Sequence, residues 1–287
     1  MKSALKTIVV DFHTHLQPKW ASDRIRSGMA RSQHPRAKYF KTMDLSPAGL
    51  LASQRSAGID VSVVLPVVTP SKYPNVTRNW VSSRLTWLHK LINSTSGLVG
   101  FGALHPDMEM EDIEHAVGRI VKYGWRGVKF HSPQQQFDPA SLKMYEIFSL
   151  LAENGLIVLM DTVQDPKRWP IEHSLNPERL MRIVKDHPTL KVVGAHMAGY
   201  FWWGGERIFS VLEPAENLYL DTSSSFFMSE EHLRRFIDVL GIDNILFGSD
   251  FPYSSQASEI ERMGIFSLDD HESAAVMGAN AARLLGL

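Results

Sequence analysis

The sequence predicts an α/β fold, a single TIM-type (β/α)8 barrel with a C-terminal helix, filling residues 1–287 as one domain. Three observations predict it. Eight short apolar runs lack polar alternation, as strands covered on both faces do. Longer amphipathic stretches separate them, the order expected of parallel β/α units. And 287 residues is a length that one α/β barrel routinely fills. A doubly wound open sheet is the alternative arrangement of the same units.

The elements follow in order. "TIVVDF" (7–12) is the first strand, and an irregular stretch rich in lysine and arginine (16–45) follows it. That stretch would lie on the catalytic face, as a lid or as a solvated insertion. The later strands are "VSVVLPV" (61–67), "LVGFGAL" (98–104), "GVKF" (127–130), "LIVLM" (156–160), "KVVGA" (191–195), "LYLDT" (218–222) and "NILFG" (244–248). Helical patterns cover roughly 46–57, 77–93, 109–123, 139–154, 177–186, 205–213, 229–240 and 255–263, and a last helix runs over about 268–285. Asp138-Pro139 and Asn176-Pro177 each set a capping residue before a proline suited to a first helical turn. Gly58, Gly124, Gly155 and Gly241 stand just past helix ends, where a left-handed residue is wanted.

Composition removes several classes of function. The chain is 44% hydrophobic and 21% charged with a formal net charge of -1, so neither a nucleic-acid nor a membrane-surface partner is suggested. It contains no cysteine, which excludes disulfides, thiolate metal ligands and a cysteine nucleophile. No run approaches the ~18 apolar residues of a membrane span. The N-terminal "MKSALKTIVV" lacks the apolar core and cleavage site of a signal peptide, so a cytoplasmic location is expected.

In a β/α barrel the chemistry gathers at the C-terminal strand ends. The first strand ends in His13 and His15, two imidazoles that share one face of a strand and can grip a divalent cation together. Strand 4 ends in "GVKFHSP", bringing Lys129 and His131, the latter a candidate substrate or supporting group. Strand 5 ends in Asp161, strand 6 in His196, strand 7 in Asp221 and strand 8 in Asp250. Singly, each of these reads more simply as a cap or a core hydrogen-bonding group. Together, His13, His15, Asp161, His196 and Asp250 supply enough nitrogen and oxygen donors for one divalent ion, zinc first and manganese as the alternative. Such an ion ionises bound water or polarises a carbonyl. Tyr200, Trp202 and Trp203 follow His196 and could stack on a planar substrate or pack the rim.

With those motifs in view, the chain resembles the amidohydrolase superfamily. It is most similar to the amidohydrolase-related branch that includes aminocarboxymuconate-semialdehyde decarboxylase and γ-resorcylate decarboxylase. "VVDFHTHLQP", "GVKFHSPQQQFDP", "VVGAHMAGY", "DTSSS" and "ILFGSDFPY" carry the resemblance nearly end to end, with Ala198 standing where the family's first glycine would be. The resemblance implies that His13, His15 and Asp250 are metal ligands and that His196 is the acid/base or carbonyl-polarising histidine. The family's strand-5 histidine is replaced here by Asp161. Three readings of that departure stand: Asp161 ligates directly, His131 takes the ligand place, or the site binds metal poorly and activity is lost.

The leading expectation is a metal-dependent hydrolase of a small carbonyl or carboxylate compound, such as a lactone or amide, with His196 and Asp250 catalytic. Non-oxidative decarboxylation of an aromatic or unsaturated acid at the same site is the alternative, and a degenerate barrel used for binding is a third. A homodimer is a reasonable assembly for this size.

Overall fold

The computed structural model describes residues 8–31, 42–68, 74–224 and 228–287. Parts of the sequence readings, namely the start of the first strand at residue 7, residues 32–41 of the 16–45 stretch, and Ser225 of "DTSSS", lie outside the described residues. The strands are β1 (Val10–Thr14), β2 (Val61–Val64), β3 (Leu98–Gly100), β4 (Gly102–Ala103), β5 (Gly127–Phe130), β6 (Ile157–Met160), β7 (Val192–Gly194), β8 (Leu218–Asp221) and β9 (Ile245–Leu246). Every strand pairing is parallel and joins neighbours in sequence, in two arcs, β1-β2-β3 and β4 through β9. The third expected strand is thus interrupted at Phe101, whose N–H still reaches Val64 O at 3.1 Å and whose ring meets Phe12 edge-on.

The last strand returns to the first, as barrel order requires, through single hydrogen bonds rather than a continuous ladder. Phe12 N–H donates to Phe247 O at 2.8 Å, Asp250 N–H to His13 O at 2.8 Å, and His15 N–H to Phe251 O at 2.7 Å. These three bonds fix the strand ends that carry three candidate ligands.

Two apolar layers hold the ring. Val10, Phe12, Val63, Leu65, Phe101, Leu159, Val193 and Leu246 pack together, the alternate residues of each strand that face the barrel interior. The opposite residues, among them Val64, Val128, Val158, Val192 and Leu220, meet the helices in a larger cluster. The helices are α1 (Lys19–Ala30), α2 (Pro47–Ala57), α3 (Pro74–Asn93), α4 (Met110–Lys122), α5 (Ser132–Gln135), α6 (Leu142–Glu153), α7 (Pro177–Asp186), α8 (Glu230–Leu240), α9 (Gln256–Met263), α10 (Asp270–Ala274) and α11 (Asn280–Leu285). A π-turn, Ala275–Ala279, joins the last two into the expected closing helix. Gly278 lies where this helix crosses β1, and a β-carbon there would stand 1.8 Å from Ile8 O.

The boundary chemistry is mostly as the sequence implies. Asn176 Oδ1 accepts the Arg179 N–H at 2.8 Å and caps α7. Gly58 ends α2 with φ 69°, and Gly124, Gly155 and Gly241 also carry positive φ. Three expectations are corrected. Helix α6 begins at Leu142 with Ser141 as its cap, so Asp138-Pro139 belongs to the preceding turn, where Asp138 accepts the Ala140 N–H. The expected helix over 205–213 is a 3-10 segment, Gly205–Ser210. And the 16–45 stretch contains α1, an ordered helix with few apolar positions to betray it. Among the described residues no helix is long and apolar enough to cross a membrane.

Candidate metal centre

β1 delivers His13, and His15 just past its end, to the mouth because its register slips. Asp11 pairs with Ser62 and Thr14 with Val64, so three steps on β1 face two on β2 and one extra residue is accommodated between them. Such a bulge re-aims side chains. Phe12 faces the interior below it, and His13 turns to the same interior above it, against Asp221 of β8 and Lys129 of β5.

The tautomers follow from the partners. His13 Nδ1–H donates to Asp221 Oδ2 at 2.9 Å, and His15 Nδ1–H donates to Leu65 O at 2.7 Å. Each Nε2 is then left with a lone pair, and the two lie 3.2 Å apart. Asp250 Oδ1 stands 3.3 Å from His15 Nε2 and 3.6 Å from His13 Nε2. Three acceptors thus converge with no proton to share among them, which is the arrangement a divalent cation satisfies. Their donor atoms all fall within 4.8 Å of one another. Burial, aided by Lys129, pulls the His13 imidazole down to about 4, so it is neutral as a ligand must be. Burial alone would raise the Asp250 carboxyl, but the histidines around it hold it below its ordinary value.

The predicted four-ligand set is divided. His13, His15 and Asp250 form one group, while Asp161 joins a second group with His13 and His196. Asp161 Oδ2 accepts from the fully buried Lys129 Nζ at 3.2 Å, with His196 Nε2 at 3.5 Å and His131 Nε2 at 3.8 Å. Burial would raise this carboxyl, but His131, Lys129 and His196 together hold it well below the carboxylate range. Lys129 Nζ also lies 3.4 Å from His13 Nε2, bridging the two groups.

His196 sits in an unusual backbone. His196, Met197 and Ala198 are three successive left-handed residues, at φ 56°, 51° and 54°. Asp221 Oδ1 anchors the turn by accepting the His196 N–H at 3.0 Å. The Ser223 hydroxyl donates to Asp221, leaving its oxygen to accept from His196 Nδ1 at 2.7 Å. Both ring nitrogens therefore face acceptors, Ser223 on one side and Asp161 on the other. Burial opposes charge on this ring, but the Asp161, Asp250 and Asp221 carboxylates together carry the imidazole up to about 9.

The substrate-side candidates separate. Trp202 lies against the His196 ring at 5.4 Å between centroids. Tyr200 does not join the group: its ring packs with Phe209, His232 and Phe236 on the outer side. His131 is held in place as the cap of α5, its Nδ1 accepting the Gln134 N–H at 3.3 Å. Trp203 Nε1–H ties the loop to Thr162 O at 2.8 Å. Four residues were not singled out from sequence: Trp169, edge-on to His131 at 5.6 Å; Tyr253, edge-on to His15 at 6.0 Å; Ser223; and Asp11. Asp11 alone had a signal, since a carboxylate inside an apolar run marks it as it marks Asp161.

The sequence profile of one protein family, described as Amidohydrolase, matches residues 10–287. No curated protein sequence matches the chain. Solved structures do match in fold. The 5-carboxyvanillate decarboxylase of Novosphingobium aromaticivorans, with manganese and 4-hydroxy-3-methoxy-5-nitrobenzoic acid, superposes with TM-score 0.78 at 17% identity, covering 98% of this chain and 97% of that one. A dihydroxybenzoic acid decarboxylase of Polaromonas sp. JS666, with manganese and 2-nitroresorcinol, gives 0.76 at 15%, covering 98% and 97%. The 2,6-dihydroxybenzoate decarboxylase of Rhizobium gives 0.73 at 14%, covering 98% and 99%. These likenesses establish the barrel architecture.

Proposed function

This chain belongs to the amidohydrolase family, and from that premise we propose that it is a metal-dependent carboxy-lyase acting on an aromatic acid, with the whole of 1–287 as one catalytic domain. The observation that carries the reading is the convergence of His13 Nε2, His15 Nε2 and Asp250 Oδ1 beneath a mouth bordered by Trp169 and Trp202. Support comes from the matching structures, which are decarboxylases of ring acids, two of them holding manganese. Hydrolysis of a lactone or amide, the first expectation from sequence, has no comparable support and gives way to its alternative.

In this reading His13, His15 and Asp250 hold one divalent cation, manganese or zinc. When bound it would supply Lewis-acid chemistry to substrate oxygen atoms. Asp161, with Lys129 against it, serves as the counter-charge that keeps His196 protonated. His196 then delivers a proton to the ring carbon bearing the carboxylate. The carbon–carbon bond breaks, its electron pair restores the ring, and carbon dioxide leaves; acid anion plus proton give arene plus carbon dioxide. Trp169 and Trp202 align the ring face, where stacking is worth roughly 0.5–1.5 kcal/mol per contact beyond area burial.

The test is a panel of ortho-hydroxylated benzoates against lactones and anilides, assayed with Mn2+ and with Zn2+. Carbon dioxide release from the benzoates, abolished by chelator, is the expected result. Turnover confined to lactones or amides would overturn the lyase reading.

A further inference from the structure

Asp11 lies on the helix-facing side of β1, away from the mouth, and is fully buried. Its Oδ1 accepts the His13 N–H at 3.1 Å and the Ser249 N–H at 2.9 Å. Its Oδ2 accepts the Ser249 hydroxyl at 2.6 Å and Gln256 Nε2 at 2.7 Å. One carboxylate thus gathers four donors, one from its own strand and three from a segment 238 or more residues away in sequence. Gln256 continues the network to Ser62 Oγ, and Ser62 to Gln54 of α2.

Two of those bonds fall at the irregular points of the candidate centre. The His13 N–H lies within the β1 bulge that turns its imidazole inward. Ser249 immediately precedes Asp250, whose φ of 59° is a left-handed value that L-residues adopt at a cost. Ser249 Oγ in turn accepts the Phe251 N–H at 3.0 Å, so Asp250 is gripped from both neighbours while its own N–H reaches His13 O. Neither the bulge nor the left-handed residue is locally favoured, and each places one ligand atom of the same triad. We propose that Asp11 is a positioning residue for the metal centre: it locks the β1 bulge and the Asp250 turn to each other, setting the separation of the His13 and Asp250 donor atoms.

This inference rests on the metal-dependent reading above, and the experiment separates the two. Mn2+ affinity is measured by titration calorimetry on metal-stripped full-length protein, for the wild type, Asp11→Ala, Asp11→Asn and Leu151→Ala. Leu151 is a fully buried core residue of α6, distant in the fold, and its truncation controls for lost stability. Loss of a group that orients ligands costs ~10–100-fold in metal affinity, the expected result for Asp11→Ala. Asp11→Asn should bind within about threefold of wild type, the level expected when the hydrogen bonds that orient the ligands are retained. Its amide oxygen can still accept from His13 and Ser249. Its new N–H meets Gln256 Oε1, which has no partner among the described hydrogen bonds, once that side-chain amide turns over from the Nε2 contact. Leu151→Ala should lower the urea midpoint without changing Mn2+ affinity.

Equal Mn2+ affinity in Asp11→Ala and wild type would overturn the proposal, as would a loss matched by Leu151→Ala. A wild type that binds no Mn2+ would overturn the metal-dependent reading itself, and this inference with it. If Asp11→Ala does not fold, Ser249→Ala removes a single hydroxyl from the same clamp and should cost about 10-fold in affinity, the low end of the range for such groups. Unchanged binding in that variant would equally count against the proposal.

Discussion

Lys129→Met tests the electrostatics of the mouth. Lys129 is fully buried and Asp161 nearly so, and their charged atoms are 3.2 Å apart. With an effective dielectric of about 20, that separation corresponds to about 5 kcal/mol of direct attraction. Removing one partner of a buried pair typically costs 3–5 kcal/mol, because the other charge remains buried without compensation. Asp161 keeps His196 at 3.5 Å and His131 at 3.8 Å, which places the loss at the lower end, about 3 kcal/mol. In urea, with a slope of about 3 kcal/mol per molar for a chain of this size, the midpoint should fall by roughly 1 M. The assay is urea unfolding in chelator at pH 7, followed by tryptophan fluorescence and circular dichroism. Asp161→Asn should cost a similar amount by stranding the ammonium. The double variant Lys129→Met/Asp161→Asn should then be at least ~2 kcal/mol more stable than the sum of the two losses implies. A Lys129→Met protein within ~0.5 kcal/mol of wild type, or strict additivity in the cycle, would refute the argument that Lys129 and Asp161 form a stabilising buried pair.

Three further outcomes are expected. His13→Ala or Asp250→Asn should each abolish stoichiometric Mn2+ binding in calorimetry, since each removes a donor from the three-atom group; retention of one tight ion in both would move the centre elsewhere. His196→Asn should lower kcat by ~10²–10⁴-fold, the range for a lost general acid, while leaving Mn2+ affinity within a few-fold of wild type. The metal-free protein should lose stability between about pH 6.5 and 9: the folded state raises the His196 imidazole to about 9 from its ordinary 6.5, so it holds a proton that the unfolded chain has released across that window. Thermal melts that stay flat or rise there in the wild type, or that fall equally in His196→Asn, would contradict the protonated assignment.

The strands were legible because a buried parallel strand needs an unbroken apolar run, and "LIVLM" offers nothing else. The ends of those runs located His13, His15, Asp161, His196 and Asp250, since barrel topology brings strand ends together whatever the intervening sequence. What was not legible depended on local irregularity. The bulge in β1 reverses the parity by which Asp11 would share a face with His13, so strand period alone misleads about both. Helix α1 offers only a thin apolar stripe, Ala21 and Ile25, set among lysine, arginine and serine. Tyr200 and Trp202 are two residues apart, yet the turn from Gly199 sends one outward and the other to His196. Asp161 was located correctly at a strand end, but its engagement with Lys129 depends on a distance that spacing does not encode.

The left-handed stretch over His196–Ala198 constrains the gene in its own way. Each such residue with a β-carbon costs roughly 1–2 kcal/mol, so the loop holds its shape only because its start is pinned by β7 and the Asp221 carboxylate and the turn beyond it by Trp203 on Thr162 O. Inserting or deleting a single amino acid between Gly194 and Tyr200 would rotate the imidazole off its two acceptors, whatever residue was added. Glycine at 198, where only a methyl group is lost, would ease the backbone, whereas at 197 it would also remove the buried Met197 side chain from the core. Variation among relatives at this loop is therefore expected to appear as exchanges of side chain and hardly ever as changes of length.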